Sequence, residues 1–161
     1  MKLAYLSLGS NLGNRQTNIQ SALNQIDNRI GNIISISKLY ENPAVGFKGE
    51  MFYNCCIGIK TILSPKELLN ELLVIEKQGG RIRKIQQGYF SRTIDIDILF
   101  YENQIINFKE LKIPHPKLHK RGFVIKPLLD IAKGKIHPLL KRSIIDIADD
   151  FESISDVVEL K

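Results

Sequence analysis

The spacing of apolar residues switches between strand and helix periods in a fixed order along this chain, and that order restricts the fold more than any other feature. Leu3 to Leu8 is apolar on both parities apart from Ser7, the mark of a central strand covered on at least one face. From Asn14, Ile19, Ala22, Leu23, Ile26 and Ile30 recur at helical spacing, and Gly31 supplies a stop. Ile33 to Tyr40 alternates with serines and reads as a strand. Glu41 to Glu50, with Pro43, Gly46 and Gly49, reads as a loop, long for a hairpin and suited to a lid. A strand is expected from Phe52 to Ile62. Ser64-Pro65-Lys66-Glu67 then has capping-box spacing, with proline at the first helical position, and opens a helix that runs to Gly79-Gly80. A fourth strand carries Ile94, Ile96 and Ile98. The order β-α-β-β-α-β predicts an α+β, ferredoxin-like fold, an antiparallel sheet with both helices on one face.

Beyond that core a C-terminal extension is expected. Leu111 to Pro116 is extended, the apolar run through Leu129 and Ile131 is helical in part, and Ser143 to Asp149 forms a short helix. The acidic tail from Asp150 onward is expected to be peripheral. With 161 residues the chain is expected to be one domain, residues 1–161, able to bury roughly 70% of its unfolded surface.

Hydrophobic residues at 43% and charged ones at 25% describe an ordinary soluble globular chain, neither disordered nor fibrous. A net charge of +6 favours acidic partners, and a phosphate-bearing small molecule satisfies it as well as nucleic acid does. The two cysteines, Cys55 and Cys56, are adjacent, which gives neither a metal-type pair nor a disulfide framework and suits a reducing compartment. No apolar run reaches membrane-spanning length and the start is too short for a signal-peptide core, so a cytoplasmic protein without membrane partners is expected.

The chemistry concentrates in the fourth strand. Alternation puts Ile94, Ile96 and Ile98 on one face and Asp95 and Asp97 on the other, two carboxylates about 7 Å apart, a spacing that suits an oxygen-bound cation. Aspartate is poor strand material, so two in an otherwise apolar strand need a reason. Upstream, Lys77, Arg81, Arg83, Lys84 and Arg92 form a stretch with no acid between Glu76 and Asp95. Arginines that take phosphate oxygens beside carboxylates that take magnesium fit a bound polyphosphate; the alternative is that the bases neutralise the acids. Phe52 and Asn54 share a strand face and could sandwich and hydrogen-bond a flat heterocycle, although a structural amide is an equally ordinary role for Asn54. His115, set between Pro114 and Pro116, is either a phosphate or ribose contact or a surface turn residue.

Gly9-Ser10-Asn11-Leu12-Gly13, Asn54, Gly80-Arg81-Ile82-Arg83-Lys84, the run Ser91 to Leu99, Pro114-His115 and Arg121-Gly122-Phe123 together resemble the 6-hydroxymethyl-7,8-dihydropterin pyrophosphokinases of folate biosynthesis. The resemblance covers nearly the whole chain. It implies transfer of the terminal pyrophosphate of ATP to the pterin hydroxymethyl oxygen, with release of AMP. It further implies two Mg2+ ions on Asp95 and Asp97, with Arg81 and Arg92 on the triphosphate. Arg83, Lys84, His115 and Arg121 become further nucleotide contacts, with Leu69, Ile98 and Leu111 beside the adenine. Phe123 and Phe52 would stack on the two pterin faces, Asn54 would read its edge, and backbone at Asn42, Pro43 and Val45 would complete the pocket.

Two departures from the family pattern stand out. Where the basic loop of the family often continues Arg-Trp-Gly-Pro-Arg, this chain has Gly88-Tyr89-Phe90-Ser91-Arg92, so Tyr89 or Phe90 must replace a tryptophan lid. Glu110 and Pro116 stand where some members carry arginine and tyrosine. The expected mechanism is in-line attack on the β-phosphorus by a monomer, with loops 10 to 14, 41 to 50 and 81 to 92 closing over the substrates. The rival readings are a metal-dependent hydrolase and an RNA-binding module. Arg121-Gly122-Phe123-Val124 matches only part of an RNA-binding signature, and a phosphate backbone would be repelled by the aspartates, so no nucleic-acid partner is expected. A P-loop motif is absent from the sequence.

Overall fold

The computed structural model describes residues 1–80 and 91–161. Its centre is β1 (Lys2–Ser10), paired antiparallel with β4 (Phe52–Thr61) on one side and β5 (Asp95–Tyr101) on the other. Two strands, β2 (Gly31–Ile36) and β3 (Tyr40–Asn42), succeed one another as antiparallel partners of the far edge of β4. With α1 (Arg15–Arg29) and α2 (Pro65–Gln78) the expected β-α-β-β-α-β order and antiparallel sheet are present, the second strand being split into β2 and β3.

Local chemistry accounts for the element ends. The Asn14 side chain accepts the Thr17 N–H and opens α1, while Ser64 and Glu67 close a reciprocal capping box at α2. A β-carbon on Gly31 would lie 2.3 Å from the Lys60 carbonyl oxygen, so only glycine lets the chain turn from α1 into β2 at this point. Ala4, Leu6 and Leu8 on β1 are fully buried against Ile19, Ile26, Leu68 and Leu72 of the two helices. Each leucine or isoleucine buried this way contributes about 1.5–3 kcal/mol before entropy is counted.

The opposite face is covered by the extension. Here α3 (Gly122–Ala132) and α4 (Ile144–Ala148) pack Val124, Ile125, Leu128, Ile144 and Ile147 against Cys56 and Phe100. Helices α1 and α2 thus share one face, as expected, and the extension supplies the third layer. Two short strands, β6 (Ile106–Asn107) and β7 (Lys112–Ile113), pair in a separate ribbon, and the Ile113–Pro114 peptide is cis.

Three sequence expectations need correction. The single strand expected from Ile33 to Tyr40 is broken: the Ser37 N–H still reaches the Cys56 carbonyl of β4, but the Asp130 carboxylate takes the Lys38 N–H, and strand pairing resumes at Tyr40. The loop expected from Glu41 therefore begins as β3. The acidic tail is not peripheral. Val157 is buried, and β8 (Val158–Glu159) pairs with β3, adding a strand to the sheet edge.

Candidate active site

Strand register decides what meets at the site. Asp95 lies opposite Gly9 of β1, which lies opposite Asn54 of β4; one row further, Asp97 lies opposite Ser7. These residues face away from α1 and α2, and the sheet on that side is the floor of a cavity of about 470 Å³, within the range of small-molecule sites. Gly9 keeps the floor flat, since a β-carbon there would come 2.7 Å from Asn54 Oδ1.

The cavity is acidic and basic at once. Arg92 forms an ion pair with Asp95, both side chains about four-fifths buried. Asp97 is the more open carboxylate, with His115 Nε2 and Arg121 Nη1 each 3.7 Å from its Oδ2. Burial, reinforced by Arg121, pulls the His115 pKa down to about 4, against the opposing pull of Asp95. Its Nδ1 accepts the Lys117 N–H. The ring is therefore neutral at pH 7, with its proton on Nε2, and turns an N–H toward the carboxylate side.

Further walls of the cavity are aromatic and amide. Phe52 from β4 and Phe123 from the start of α3 line the cavity with Asn54 and Asn42. The Asn54 amide donates to Asn42 Oδ1, and Asn42 donates in turn to the Pro43 carbonyl. This chain of amides is buried and fixes which way Asn54 Oδ1 points.

The cavity thus brings together Asn42, Val45, Phe52, Asn54, Arg92, Asp95, Asp97, His115, Arg121 and Phe123. It does not include Pro43, which is exposed, nor Leu69, Ile98 and Leu111, which pack with the α1 and α2 side of the sheet. Arg81, Arg83, Lys84, Tyr89 and Phe90 lie outside the described residues.

Sequence reasoning missed two contributors. Asn11, buried at the end of β1, donates to the Glu50 carbonyl and Ser91 Oγ and accepts the Arg92 N–H at 2.7 Å. One side chain thereby ties the β1 exit to the 41–50 loop and to the segment that carries Arg92. A polar residue between glycines gave no sign of that span. The second contributor is the tail, from which Phe151, Ser153, Ile154, Asp156 and Val157 reach the cavity wall.

The donor set suits a hard divalent cation. Among the described residues no group of three or more His, Cys, Asp or Glu side chains converges. Two carboxylates suffice for magnesium, which binds through one or two protein carboxylates and completes its shell with water and substrate phosphates.

Fold and cleft define the class: a ferredoxin-like α+β protein whose cavity joins paired carboxylates and arginines to an aromatic and amide recess. Residues 5–133 match the family described as 7,8-dihydro-6-hydroxymethylpterin-pyrophosphokinase, and the chain belongs to that family. It is 41% identical over 143 residues to 2-amino-4-hydroxy-6-hydroxymethyldihydropteridine pyrophosphokinase of Aquifex aeolicus, covering 88% of each chain. The Bacillus subtilis protein of the same name is 36% identical over 133 residues, 81% of this chain and 78% of that one. Folic acid synthesis protein fol1 of Pneumocystis carinii is 44% identical over 153 residues, 94% of this chain but only 20% of the longer protein. Among solved structures, wild-type Plasmodium falciparum HPPK-DHPS superposes with a TM-score of 0.74 at 18% identity, over 93% of this chain and 43% of that one, a likeness of fold.

Proposed function

We propose that the chain transfers the terminal diphosphate of ATP to the hydroxymethyl group of 6-hydroxymethyl-7,8-dihydropterin, releasing AMP, in folate biosynthesis. The observation that carries this reading is that one cavity is lined by Asp95, Asp97, Arg92 and Arg121 together with Phe52, Asn54 and Phe123. The first set suits a polyphosphate; the second suits a flat ring with polar edges. Family membership and the Aquifex relative support the same pairing of substrates.

In this reading the ring lies between Phe52 and Phe123, with Asn54 Oδ1 accepting from a ring N–H and Asn42, Pro43 and Val45 around it. Its hydroxymethyl oxygen then faces the phosphate end. That oxygen attacks the β-phosphorus in line, the bond from the β-phosphorus to the α,β-bridging oxygen breaks, and AMP leaves with the bridging oxygen while the hydroxyl proton is released. Arg92 and Arg121 offset the charge that gathers on the leaving phosphate, and neutral His115 offers an N–H to a phosphate oxygen. Arg81, Arg83 and Lys84 are proposed as further phosphate contacts, and Leu69, Ile98 and Leu111 as neighbours of the adenine. Asp95 and Asp97 would hold Mg2+, two ions in the full complex, which would neutralise polyphosphate charge and acidify the attacking hydroxyl. The protein's own part is to orient two substrates and keep water out.

Residues 1–161 are proposed to act as one domain and as a monomer. No helix among the described residues is long and apolar enough to cross a membrane, and two free buried cysteines suit the cytoplasm. The test is to incubate the chain with ATP, magnesium and 6-hydroxymethyl-7,8-dihydropterin and resolve the products. AMP with the pterin diphosphate is expected. ADP as the nucleotide product, or AMP release that does not need the pterin, would refute the assignment.

A further inference from the structure

The family match ends at residue 133, yet five residues beyond it line the cavity. They are held there by contacts spread along the tail. The Lys126 ammonium of α3 donates to the Val157 carbonyl at 2.5 Å and to the Ile154 carbonyl at 3.5 Å. The Leu160 N–H reaches the Leu39 carbonyl, and β8 pairs with β3, the strand that also carries Asn42. An ion pair of 2.9 Å joins Lys38 to Glu159. A segment held at Ile154, Val157, Glu159 and Leu160, with Val157 buried, is a fixed wall rather than a loose terminus.

The wall presses on one point. A β-carbon on Gly122 would lie 2.2 Å from Ile154 Cγ2, so the Ile154 side chain occupies the space that any other residue at position 122 would need. Gly122 is the link between Arg121 and Phe123, which both line the cavity, the Arg121 guanidinium carbon 5.5 Å from the centre of the Phe123 ring. We propose that the C-terminal strap, residues 151–159, is a positioning element for the heterocyclic substrate. Through the Ile154 contact on Gly122 it fixes the first turn of α3 and with it the Phe123 ring. This rests on the activity proposed above and adds to it a specificity determinant outside residues 5–133, which match the family.

The contact predicts a size exchange. Ile154→Ala removes the strap's grip on Gly122 and is expected to raise KM for the dihydropterin about tenfold or more, the scale on which small misplacements act. KM for ATP should change less than that for dihydropterin, because Arg121 is one of several cations proposed to hold the phosphates whereas Phe123 is one of two rings proposed to stack on the heterocycle. Ile154→Val keeps Cγ2 and should restore the parent value. Gly122→Ala should disable the parent chain. Without Cγ2, the next neighbours of a β-carbon at 122 are Ile154 Cβ at 3.7 Å and Phe151 Cε1 at 3.8 Å, ordinary contacts, so the double variant should bind dihydropterin better than Gly122→Ala alone. Direct pterin binding by fluorescence and thermal midpoints for all four variants separate a folding defect from a positioning one. An unchanged dihydropterin KM in Ile154→Ala, or a double variant no better than Gly122→Ala, overturns the proposal. A parent chain that makes no AMP from ATP and dihydropterin overturns the activity reading instead.

Discussion

The floor of the cavity offers the sharpest test of the ring-binding assignment. Gly9 sits between Asp95 and Asn54 in the sheet, and its missing side chain is what leaves Asn54 Oδ1 open to the cavity. In Gly9→Ala the new β-carbon would meet that oxygen at 2.7 Å, against 3.4 Å or more for an ordinary contact, and Phe52 Cδ1 at 3.6 Å. Asn54 is buried and its amide is engaged with Asn42, so the oxygen cannot turn aside without giving up a buried hydrogen bond. That loss costs about 1–3 kcal/mol. The thermal midpoint should fall by about 2–4 °C for each kcal/mol lost in a chain of this size. Because the displaced atom is the acceptor proposed to read the ring edge, the KM for dihydropterin should rise by roughly 10–100-fold, since a binding site missing one designed hydrogen bond loses a comparable free energy. The KM for ATP should hardly move. The assay is AMP formation at varied concentrations of each substrate, with circular dichroism following unfolding. A Gly9→Ala enzyme with the parent KM for dihydropterin would refute both the Asn54 assignment and the reason given for glycine.

Other perturbations read other parts of the molecule. Asp97→Ala should lower kcat by about 10²–10³, the usual loss when one preorganised electrostatic group is removed, while dihydropterin affinity measured directly stays close to the parent; equal turnover at saturating magnesium would exclude Asp97 from the chemistry. Ser64→Ala removes the α2 cap and should cost about 1 kcal/mol in denaturant unfolding with kcat and both KM values unchanged. His137, packed edge-on against Phe100, accepts the Leu139 and Leu140 N–H groups at Nδ1, and burial holds its pKa below the ordinary 6.5. The unfolded chain therefore binds the proton more readily than the folded one. The contribution of neutral His137 is complete above pH 6.5 and is lost as pH falls below it. His137→Asn keeps an acceptor but cannot titrate, so its thermal midpoint should fall less steeply between neutral pH and pH 5 than that of the parent; parallel curves would count against the assignment.

How far the sequence could be read depended on whether burial left a local trace. The strands and helices of the βαββαβ core were legible because their buried residues recur at period two or 3.6, and the aspartate pair was legible because it broke an apolar strand in a way that strand propensity disfavours. Strand geometry also put both carboxylates on the cavity side, and register then brought Asn54 level with Asp95, a relation between distant segments that no spacing within one segment encodes. The break at Ser37 and Lys38 was not legible, because the group that interrupts pairing is Asp130, 92 residues away from Lys38.

The tail is the instructive failure. Phe151, Ile154 and Val157 recur every third residue among serines and acids, a spacing that matches neither a strand nor a regular amphipathic helix, and net acidity made solvent exposure the natural expectation. Those three side chains turn inward because the backbone around them is held by partners from elsewhere: Lys126 from α3, Leu39 before β3, and Tyr40 and Glu41 within β3. The Tyr40 hydroxyl donates to the Asp130 carboxylate, and burial together with that carboxylate keeps Tyr40 a protonated phenol, its pKa well above the ordinary 10. One face of α3 therefore sets both the break in the second strand and the seat of the tail, while its first turn presents Phe123 to the cavity. A cavity assembled this way is walled in part by a segment that a reading of motifs alone would place outside it.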